Sequence, residues 1–406
     1  MRRAWQKPKR GQLSRSRGDS RRITLAKMYR ALRKVNFLGL MLVALGLTAC
    51  RSGEGTGARS VKESASAGKH VGVPGMAAGA SDLANTNADL YLRRFRFQQP
   101  HMGTMFFLTV YAPDETVANA ASDAAFAKIA ALDRMMSDYD PESELMQLCR
   151  QSAGQPVRVS DELFAILQQS QRVAKISDGA FDVTIGPLVR LWRRARRTET
   201  LPAPAALAQA RKAVGWRKLK LDAQTKTVTL TVPDMQLDLG GIAKGYAADA
   251  ALAVLQQRGL TRALVAASGD IAVGDPPPGQ PGWRVSIGAP VFRPEFGAAP
   301  ETNDPLVRTL LLRDAAVSTS GDTEQFVEIG GRRYSHIVDP RTGLGLTEQL
   351  QVSVVAQRAV DTDSFATAAS VLGVKRGLAL VESQPGFEGI FVFKQGSETK
   401  VLQSKR

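Results

Sequence analysis

The sequence predicts an α+β fold in which helices pack against a mixed, largely antiparallel β-sheet to form a single unit. Two observations favour this class. Strand-like segments occur as hairpins and consecutive runs, as in residues 216–221 and 226–232, which flank the turn 222–225. Helical segments are grouped between these runs instead of alternating with single strands. The composition, with 44% hydrophobic and 23% charged residues, is that of an ordinary globular protein.

The N-terminal stretch has the features of an export signal. Residues 1–49 hold thirteen Lys or Arg and one acidic residue, so they carry +12 of the formal net charge of +16. Basic residues precede the apolar run 37–47, which is too short for a stable membrane span and is typical of a secretory signal. The signal ends in Leu-Thr-Ala-Cys at residues 47–50, which resembles a bacterial lipoprotein processing site. We therefore expect lipidation of Cys50, with an unmodified cysteine as the alternative and Met28 as a possible true start.

The next segment predicts a tether. Residues 50–92 are rich in Gly, Ser, Ala and Asn and lack apolar periodicity, which predicts a flexible linker with a reach of roughly 35 Å. We expect an exported protein, lipid-anchored to the inner or outer membrane of a bacterium, with the domain 93–406 in the periplasm. Because residues 50–406 carry only +4, the basic charge belongs to the signal and indicates no nucleic-acid partner. Cys149 has no expected disulfide partner and is predicted to be a small buried side chain.

Hydrophobic spacing defines the elements of the domain in order. Residues 105–111 alternate as a strand, and residues 118–136 form an Ala-rich amphipathic helix. An Asp-Pro turn within 137–145 starts a second helix, and residues 161–177 form a third with one apolar side. The remaining predicted helices cover 188–197, a stretch from residue 240 to about Gly259, 360–372, and a segment before the last strand. The remaining predicted strands cover 263–267, 283–287, 307–312, 326–329, 350–355 and 389–393, and the Pro- and Gly-rich segment 292–305 is expected to be a surface excursion.

The stretch 238–249, Asp-Leu-Gly-Gly-Ile-Ala-Lys-Gly-Tyr-Ala-Ala-Asp, lies between a predicted strand and a predicted helix. Gly240 and Gly241 form a turn that lets the backbone approach a ligand, and a helix N-terminus offers unpaired N–H groups to an anion. Lys244 lies in the first helical turn, where the helix dipole disfavours a cation, so a negative partner is expected. A tight turn without a ligand is the alternative.

The predicted helix 360–372 carries short oxygen-bearing side chains on one face. Asp363 and Thr367 are four residues apart, so a carboxylate and a hydroxyl can reach one cation. Mg²⁺ prefers such hard oxygen ligands and shares them with substrate phosphates. The alternative is a core helix of small residues whose polar face is partly wet.

Three further residues have open interpretations. His336 lies between a predicted strand and a Pro/Gly turn, where it can accept a proton near neutral pH or act as a hydrogen-bonded structural histidine. Tyr139 and Phe181 lie in loops and can stack on a flat ring or close an edge of the core. The helix 188–197 carries five Arg, which predicts a solvated face or a contact surface for an acidic partner.

Together these segments resemble the FAD:protein FMN transferase (ApbE) family. The matching stretches occur in the family's order and cover about residues 100–385. They are 102–104, 136–145, 179–184, 238–249, 268–270, 318–321, 336–343 and 363–373. The resemblance implies an ApbE-like, T-fold-like single catalytic unit. Its activity would be the Mg²⁺-dependent transfer of FMN from the co-substrate FAD to a threonine of a target protein, with release of AMP.

The resemblance also implies the roles of individual residues. Asp363, Thr367 and the carbonyl of Gly241 would hold magnesium. His336 or Asp363 would deprotonate the incoming hydroxyl, and His336 is favoured because a metal ligand is a poor free base. The FAD contacts would come from Met102, Tyr139, Ala180, Phe181, Asp182, Lys244 and Ile337, with Tyr139 against the isoalloxazine ring.

The target would be a membrane redox subunit with an Asp-Gly-x-Ser-Gly-Ala-Thr-like motif, which this chain lacks, so self-modification is not expected. Cys149 and Ser268 depart from the family's common Asn and Gly. Two other functions stay open: an FAD pyrophosphatase that uses water as the acceptor, and a non-catalytic FAD-binding lipoprotein.

Overall fold

The computed structural model describes residues 91–287, 307–321 and 325–405. The predicted signal, the lipidated Cys50, nearly all of the tether and the excursion 292–305 lie outside these residues. The first strand of the described chain begins at Arg93.

Fifteen strands and seven α-helices form the described part of the chain. The strands are β1 (Arg93–His101), β2 (Thr104–Ala112), β3 (Pro156–Arg158), β4 (Leu219–Asp222), β5 (Thr227–Leu230), β6 (Ala263–Ala267), β7 (Asp270–Val273), β8 (Trp283–Ile287), β9 (Arg308–Leu312), β10 (Ala315–Gly321), β11 (Phe326–Ile329), β12 (Arg332–Ser335), β13 (Leu350–Ala356), β14 (Glu388–Gln395) and β15 (Glu398–Gln403). The helices are α1 (Glu115–Met136), α2 (Glu144–Cys149), α3 (Asp161–Ile176), α4 (Gly186–Thr198), α5 (Pro204–Lys212), α6 (Ala243–Gln257) and α7 (Ala359–Glu382).

The central sheet has eight strands in the order β1-β2-β6-β7-β10-β13-β14-β15. Every neighbouring pair is antiparallel, which confirms the predicted class. Successive side chains alternate between the two faces of the sheet. In β2, Phe106, Leu108 and Val110 pack into the main core, whereas Phe107 and Tyr111 pack on the opposite face.

Helices α1, α6 and α7 cover one face of this sheet. Helix α6 approaches α7 closely at Gly245, where a Cβ would lie 2.1 Å from the carbonyl oxygen of Ala359. The carboxylate of Asp249 on α6 accepts hydrogen bonds from the first amides of α7, Ala359 (2.8 Å) and Val360 (2.9 Å). One helix therefore caps the N-terminus of the other and fixes it against the sheet.

The opposite face of the sheet is covered by the β8–β9 hairpin. Trp283, Val285 and Ile287 of β8 and Leu312 of β9 form a second core with residues of β6, β7 and β10. The central sheet is thus buried on both faces over its middle strands, and the all-buried strands β6 and β7 reflect this.

A third apolar cluster joins α4 to the β11–β12 hairpin. Leu188 and Trp192 of α4 contact Val327 and Tyr334, and the indole of Trp192 donates to the carbonyl of Gly343 (2.8 Å). This cluster holds the segment after β12, which contains His336, against α4.

Helix α7 contains the helix predicted for residues 360–372 and extends it at both ends. Most of its polar face is buried, including Asp363 (2% exposed) and Ser370 (4%), whereas Thr367 is half-buried and faces the turn at Gly241. At Gly373 the backbone leaves helical geometry with φ +73, and the chain resumes as the further helix that the sequence predicted. By length and composition α7 could cross a bilayer, but it packs between α6 and strands β10 and β13 as a core helix.

Candidate active site

One cleft of about 1580 Å³ contains every residue predicted for the site within the described chain. It is bounded by the loop after α1, the loop before α4, the start of α6, the ends of β7 and β10, α7, and the segment after β12. The predicted residues that line it are Met102, Tyr139, Ala180, Phe181, Asp182, Gly241, Lys244, His336, Ile337, Asp363 and Thr367. Segments far apart in sequence are therefore brought together as expected.

The three predicted magnesium ligands come from the turn before α6 and from α7. A Cβ on Gly241 would lie 3.0 Å from Oγ1 of Thr367, so the glycine backbone and the threonine hydroxyl face each other. The amide of Gly245, in the first turn of α6, donates to Oδ2 of Asp363 (3.0 Å). Gly241 precedes the N-cap residue Ile242, so its carbonyl is not an acceptor within the helix. A carbonyl, a carboxylate and a hydroxyl form a hard oxygen set that fits Mg²⁺.

Lys244 has the negative partner that its position predicts, and this partner is a protein carboxylate. Its ammonium pairs with Asp270 at the start of β7 and lies 3.9 Å from Oδ2 of Asp363. Burial alone would lower the pKa of Lys244. The charges of Asp270 and Asp363 raise it by more, so the pKa lies above its ordinary value. Burial, together with the charge of Asp270, raises the pKa of Asp363 to about 7. With all three groups ionised, the cluster carries a net negative charge that a bound cation would balance.

His336 presents one ring nitrogen to the cleft. Its Nδ1 lies 3.0 Å from the carbonyl oxygen of Gln325, which can only accept, so Nδ1 carries the proton and Nε2 is an acceptor in the neutral ring. Burial lowers the pKa of His336 to about 4, and the charges of Arg196 and Lys244 act in the same direction. The ring is therefore neutral at physiological pH and can accept a proton.

Tyr139 is the most solvent-accessible aromatic residue of the cleft. The residue is 75% exposed in the loop between α1 and α2, and the guanidinium of Arg193 lies 4.3 Å from its ring centroid. Phe181, by contrast, is buried in the main core (4% exposed) and forms the floor of the cleft next to Gly241.

Asp182 is bound within its own loop. One carboxylate oxygen accepts from the amide (2.8 Å) and hydroxyl (2.7 Å) of Thr184, and the other accepts from the amide of Trp216 (2.7 Å). Burial raises the pKa of this carboxyl group. These contacts give Asp182 a part in shaping the loop that carries Ala180 and Phe181. Its predicted contact with FAD stays a prediction.

A model of the ApbE family matches residues 102–391, which span all of the cleft-forming segments described above. The chain belongs to the ApbE family.

Relatives and solved structures agree with this assignment. The chain is 31% identical over 310 residues to the FAD:protein FMN transferase of Klebsiella pneumoniae strain 342, covering 75% of this chain and 85% of the relative. It is 33% identical over 307 residues to that of Treponema pallidum strain Nichols, covering 72% and 82%. The apo flavinyl transferase ApbE of Pseudomonas stutzeri superposes with a TM-score of 0.67 at 28% identity, covering 77% of this chain and 95% of the neighbour. The flavin transferase ApbE of Vibrio cholerae gives 0.68 at 26%, covering 77% and 98%.

The ApbE prediction made from ordered motifs and the predicted fold are therefore confirmed. Sequence reasoning did not assign a role to three residues of the site. Asp270 pairs with Lys244, Ser320 lies 3.3 Å from the hydroxyl of Thr367, and Arg193 contacts Tyr139. Asp270 and Ser320 do belong to the motifs 268–270 and 318–321, which was the available signal. The sequence drew attention to Arg193 only as one of the five arginines of the predicted helix 188–197.

Proposed function

We propose that this ApbE-family enzyme transfers FMN from FAD to a threonine hydroxyl of a target protein, with Mg²⁺ bound and AMP released. Flavin transfer as such follows from the family, whose relatives carry that activity in their names. One observation carries the finer proposal. A neutral histidine and the oxygen set of Gly241, Asp363 and Thr367 line the same cleft.

The reaction is a displacement at phosphorus. The threonine oxygen bonds to the phosphorus that bears the riboflavin part, the bond from that phosphorus to the bridging oxygen breaks, and AMP leaves with this oxygen. Nε2 of His336 takes the hydroxyl proton, since its ring is neutral and Nδ1–H is held by Gln325. Because little covalent chemistry falls to the protein in such reactions, its main contribution is to position the groups and offset charge.

Gly241, Asp363 and Thr367 are the proposed magnesium ligands. The ion would neutralise charge on the pyrophosphate and on the departing AMP. We favour the role of metal ligand for Asp363 over the role of general base. The amide of Gly245 and the ammonium of Lys244 already orient its Oδ2. Lys244, held by Asp270, adds positive charge near the phosphates.

The flavin end of FAD is proposed to lie at Tyr139, with Met102, Ala180, Phe181, Asp182 and Ile337 completing the pocket. The amide of Met102 is fixed by Asp133 (2.9 Å), and the amide of Ile337 by the hydroxyl of Ser335 (3.0 Å). Both segments are therefore ordered before the substrate arrives.

We propose further that the chain is an exported lipoprotein, anchored through Cys50 with its domain in the periplasm. A flexible tether suits a membrane-embedded target bearing a threonine motif. The support is the apolar run and the Leu-Thr-Ala-Cys sequence at residues 47–50.

The proposal is tested by mixing the purified chain with FAD, Mg²⁺ and an acceptor peptide that carries the threonine motif. We expect a mass gain on the peptide equal to FMN, in-gel flavin fluorescence, and loss of both on chelation. His336→Ala should abolish labelling while FAD binding persists, and full labelling by that variant would remove His336 from the mechanism.

The same experiment separates the two alternatives. Release of AMP and FMN without labelled peptide would indicate the pyrophosphatase. Bound but intact FAD would indicate the binding protein.

A further inference from the structure

Arg193 of α4 makes three contacts with two different walls of the cleft. One terminal nitrogen pairs with the carboxylate of Asp138, and the other lies 3.0 Å from Oδ2 of Asp238. The guanidinium also lies over the ring of Tyr139, 4.3 Å from its centroid. The side chain is only 20% exposed although it carries a charge.

The two carboxylates belong to segments with different roles. Asp138 precedes Tyr139 in the loop between α1 and α2. Asp238 begins the glycine turn, and its Oδ1 accepts from the amide of Gly240 (2.8 Å). Arg193 therefore links the loop that presents Tyr139 to the turn that presents the carbonyl of Gly241.

The negative charges of Asp138 and Asp238 require a cation between them, and Arg193 supplies it. Burial raises the pKa of Asp238, and the nearby charge of Asp138 raises it further, while Arg193 opposes both effects. Without a cation between them, the two carboxylates would repel each other and the loop would move away from the turn. A planar guanidinium can bridge two carboxylates and stack on an aromatic face at the same time, whereas an ammonium group cannot.

We infer that Arg193 is a positioning residue for flavin transfer, one that fixes the ring of Tyr139 at a set distance from the glycine turn. FAD joins its flavin ring to its pyrophosphate through a chain of fixed length. The spacing between Tyr139 and Gly241 therefore decides whether a ring stacked on the tyrosine leaves the phosphorus beside the metal ligands. This inference rests on the proposed function, because it takes Tyr139 as the flavin platform.

The test uses FMN itself as a probe with the full chain, because FMN has no pyrophosphate bond to break and so cannot be transferred. A flavin stacked on tyrosine loses fluorescence. We expect wild type to quench FMN and Tyr139→Ala to lose most of the quenching. Arg193→Gln should resemble Tyr139→Ala, and the double variant should lose no more than either single one, since coupled residues are non-additive.

Arg194→Gln is the matched control, because Arg194 is the adjacent arginine of α4 and is exposed away from the cleft. It should quench as wild type does. If Arg193→Gln proves unfolded by circular dichroism, Asp138→Asn tests the same link from the loop side and should also lose quenching. With FAD and acceptor peptide, the folded variant should show a labelling rate at saturating FAD that is lowered at least tenfold, with a smaller change in KM.

Normal quenching by a folded Arg193→Gln chain, or additive losses in the double variant, would overturn the inference. A wild-type chain that quenches FMN but labels no acceptor would remove the proposed transfer and leave the quenching comparison intact. The two proposals therefore fail in different measurements.

Discussion

At the residue scale, the neighbours of His336 determine the tautomer and the pKa of its ring. The sequence identified the histidine and its turn but left a structural role equally open. The fold supplies what a proton acceptor needs, because the carbonyl of Gln325 fixes one tautomer and burial keeps the ring neutral, and the catalytic role of His336 stays a prediction. Neither effect is visible in sequence, since Gln325 contacts the ring only through the pairing of β11 with β12.

A pH dependence follows from this burial. With a pKa of about 4, the His336 ring stays neutral well below pH 6.5. At saturating Mg²⁺, which would keep the Asp363 carboxylate ionised, single-turnover labelling should hold its rate from pH 7 to about 5 and fall only near 4. The unfolded chain, with an ordinary histidine, binds the proton already below pH 6.5. The contribution of His336 to the free energy of unfolding should therefore decrease as pH falls from 6.5 to about 4, whereas buried carboxyl groups such as Asp363 contribute with the opposite sign.

Urea unfolding across that pH range measures the effect. His336→Gln should remove this part of the slope, and an unchanged slope in the variant would contradict the assignment. At saturating Mg²⁺, a labelling rate that halves near pH 6.5 in the wild type but not in a variant without His336 would show that the ring is solvated instead of buried.

Ser268 offers a second prediction at this scale. It adopts φ +59 in the turn between β6 and β7, a left-handed conformation that costs a side-chain-bearing residue about 1–2 kcal/mol. Ser268→Gly should therefore increase the free energy of unfolding by about 1 kcal/mol in urea titrations. Gly269→Ala is the opposite control, because its Cβ would lie 2.9 Å from the carbonyl of Thr319. A loss of stability in Ser268→Gly would show that the serine hydroxyl contributes more than the turn strain.

At the scale of elements, the contact between α6 and α7 defines the metal-ligand geometry. Gly241 lies in the turn that leads into α6 and Lys244 in its first turn, whereas Asp363 and Thr367 lie on α7. The distance between the helices therefore sets the distance between the proposed ligands. The sequence located both helices and their polar residues. It did not indicate the cap that Asp249 provides or the short approach at Gly245, because both require the crossing of two helices more than a hundred residues apart.

Gly245→Ala tests this contact. The added methyl would lie 2.1 Å from the carbonyl of Ala359 and 2.8 Å from Cβ of Asp363, so the helices must separate. We expect a loss of about 3 kcal/mol or more in the free energy of unfolding, together with weaker Mg²⁺-dependent labelling.

Gly259→Ala is the matched control at the other end of α6. Gly259 has a positive φ of +82, but a Cβ at this residue would meet no atom within 4 Å, so only backbone strain of about 1 kcal/mol is expected. Equal losses in the two variants would mean that the helix contact adds nothing beyond glycine's backbone freedom.

The longer helices and several strands were predicted, whereas other strands, including the nine-residue β1, were missed. The helices α1, α3 and α6 and the β4–β5 hairpin agree with the sequence prediction within a few residues. The four-residue strand β7 and the Ser- and Thr-rich β10 were missed. Their residues have no alternation to detect, because both faces of the sheet are covered at that point.

At the scale of the whole molecule, the proposed lipid anchor should determine where the chain is found in the cell without affecting its transferase activity. Cys50→Ala should move the chain from the membrane fraction to the soluble fraction while labelling of a soluble acceptor peptide stays within about twofold. Cell fractionation followed by the labelling assay measures both properties.

Cys149 provides the matched control, since it is the chain's other cysteine. It is buried on α2, where its sulfur accepts from the amide of Leu237 (3.3 Å), and burial raises the pKa of its thiol to about 11. Cys149→Ala should stay with the membrane. A Cys50→Ala chain that remains membrane-bound would show that another segment holds it there.

The eight-stranded sheet ends in two strands whose outer edges pair with no other strand of the described chain. Exposed Arg93, Arg94 and Arg96 occupy β1 together with Pro100, and β15 places Glu398 and Lys400 on the other edge. Charged side chains and proline on an edge oppose the addition of a strand from a second molecule. Copies crowded in two dimensions by the proposed lipid anchor would therefore resist edge-to-edge aggregation.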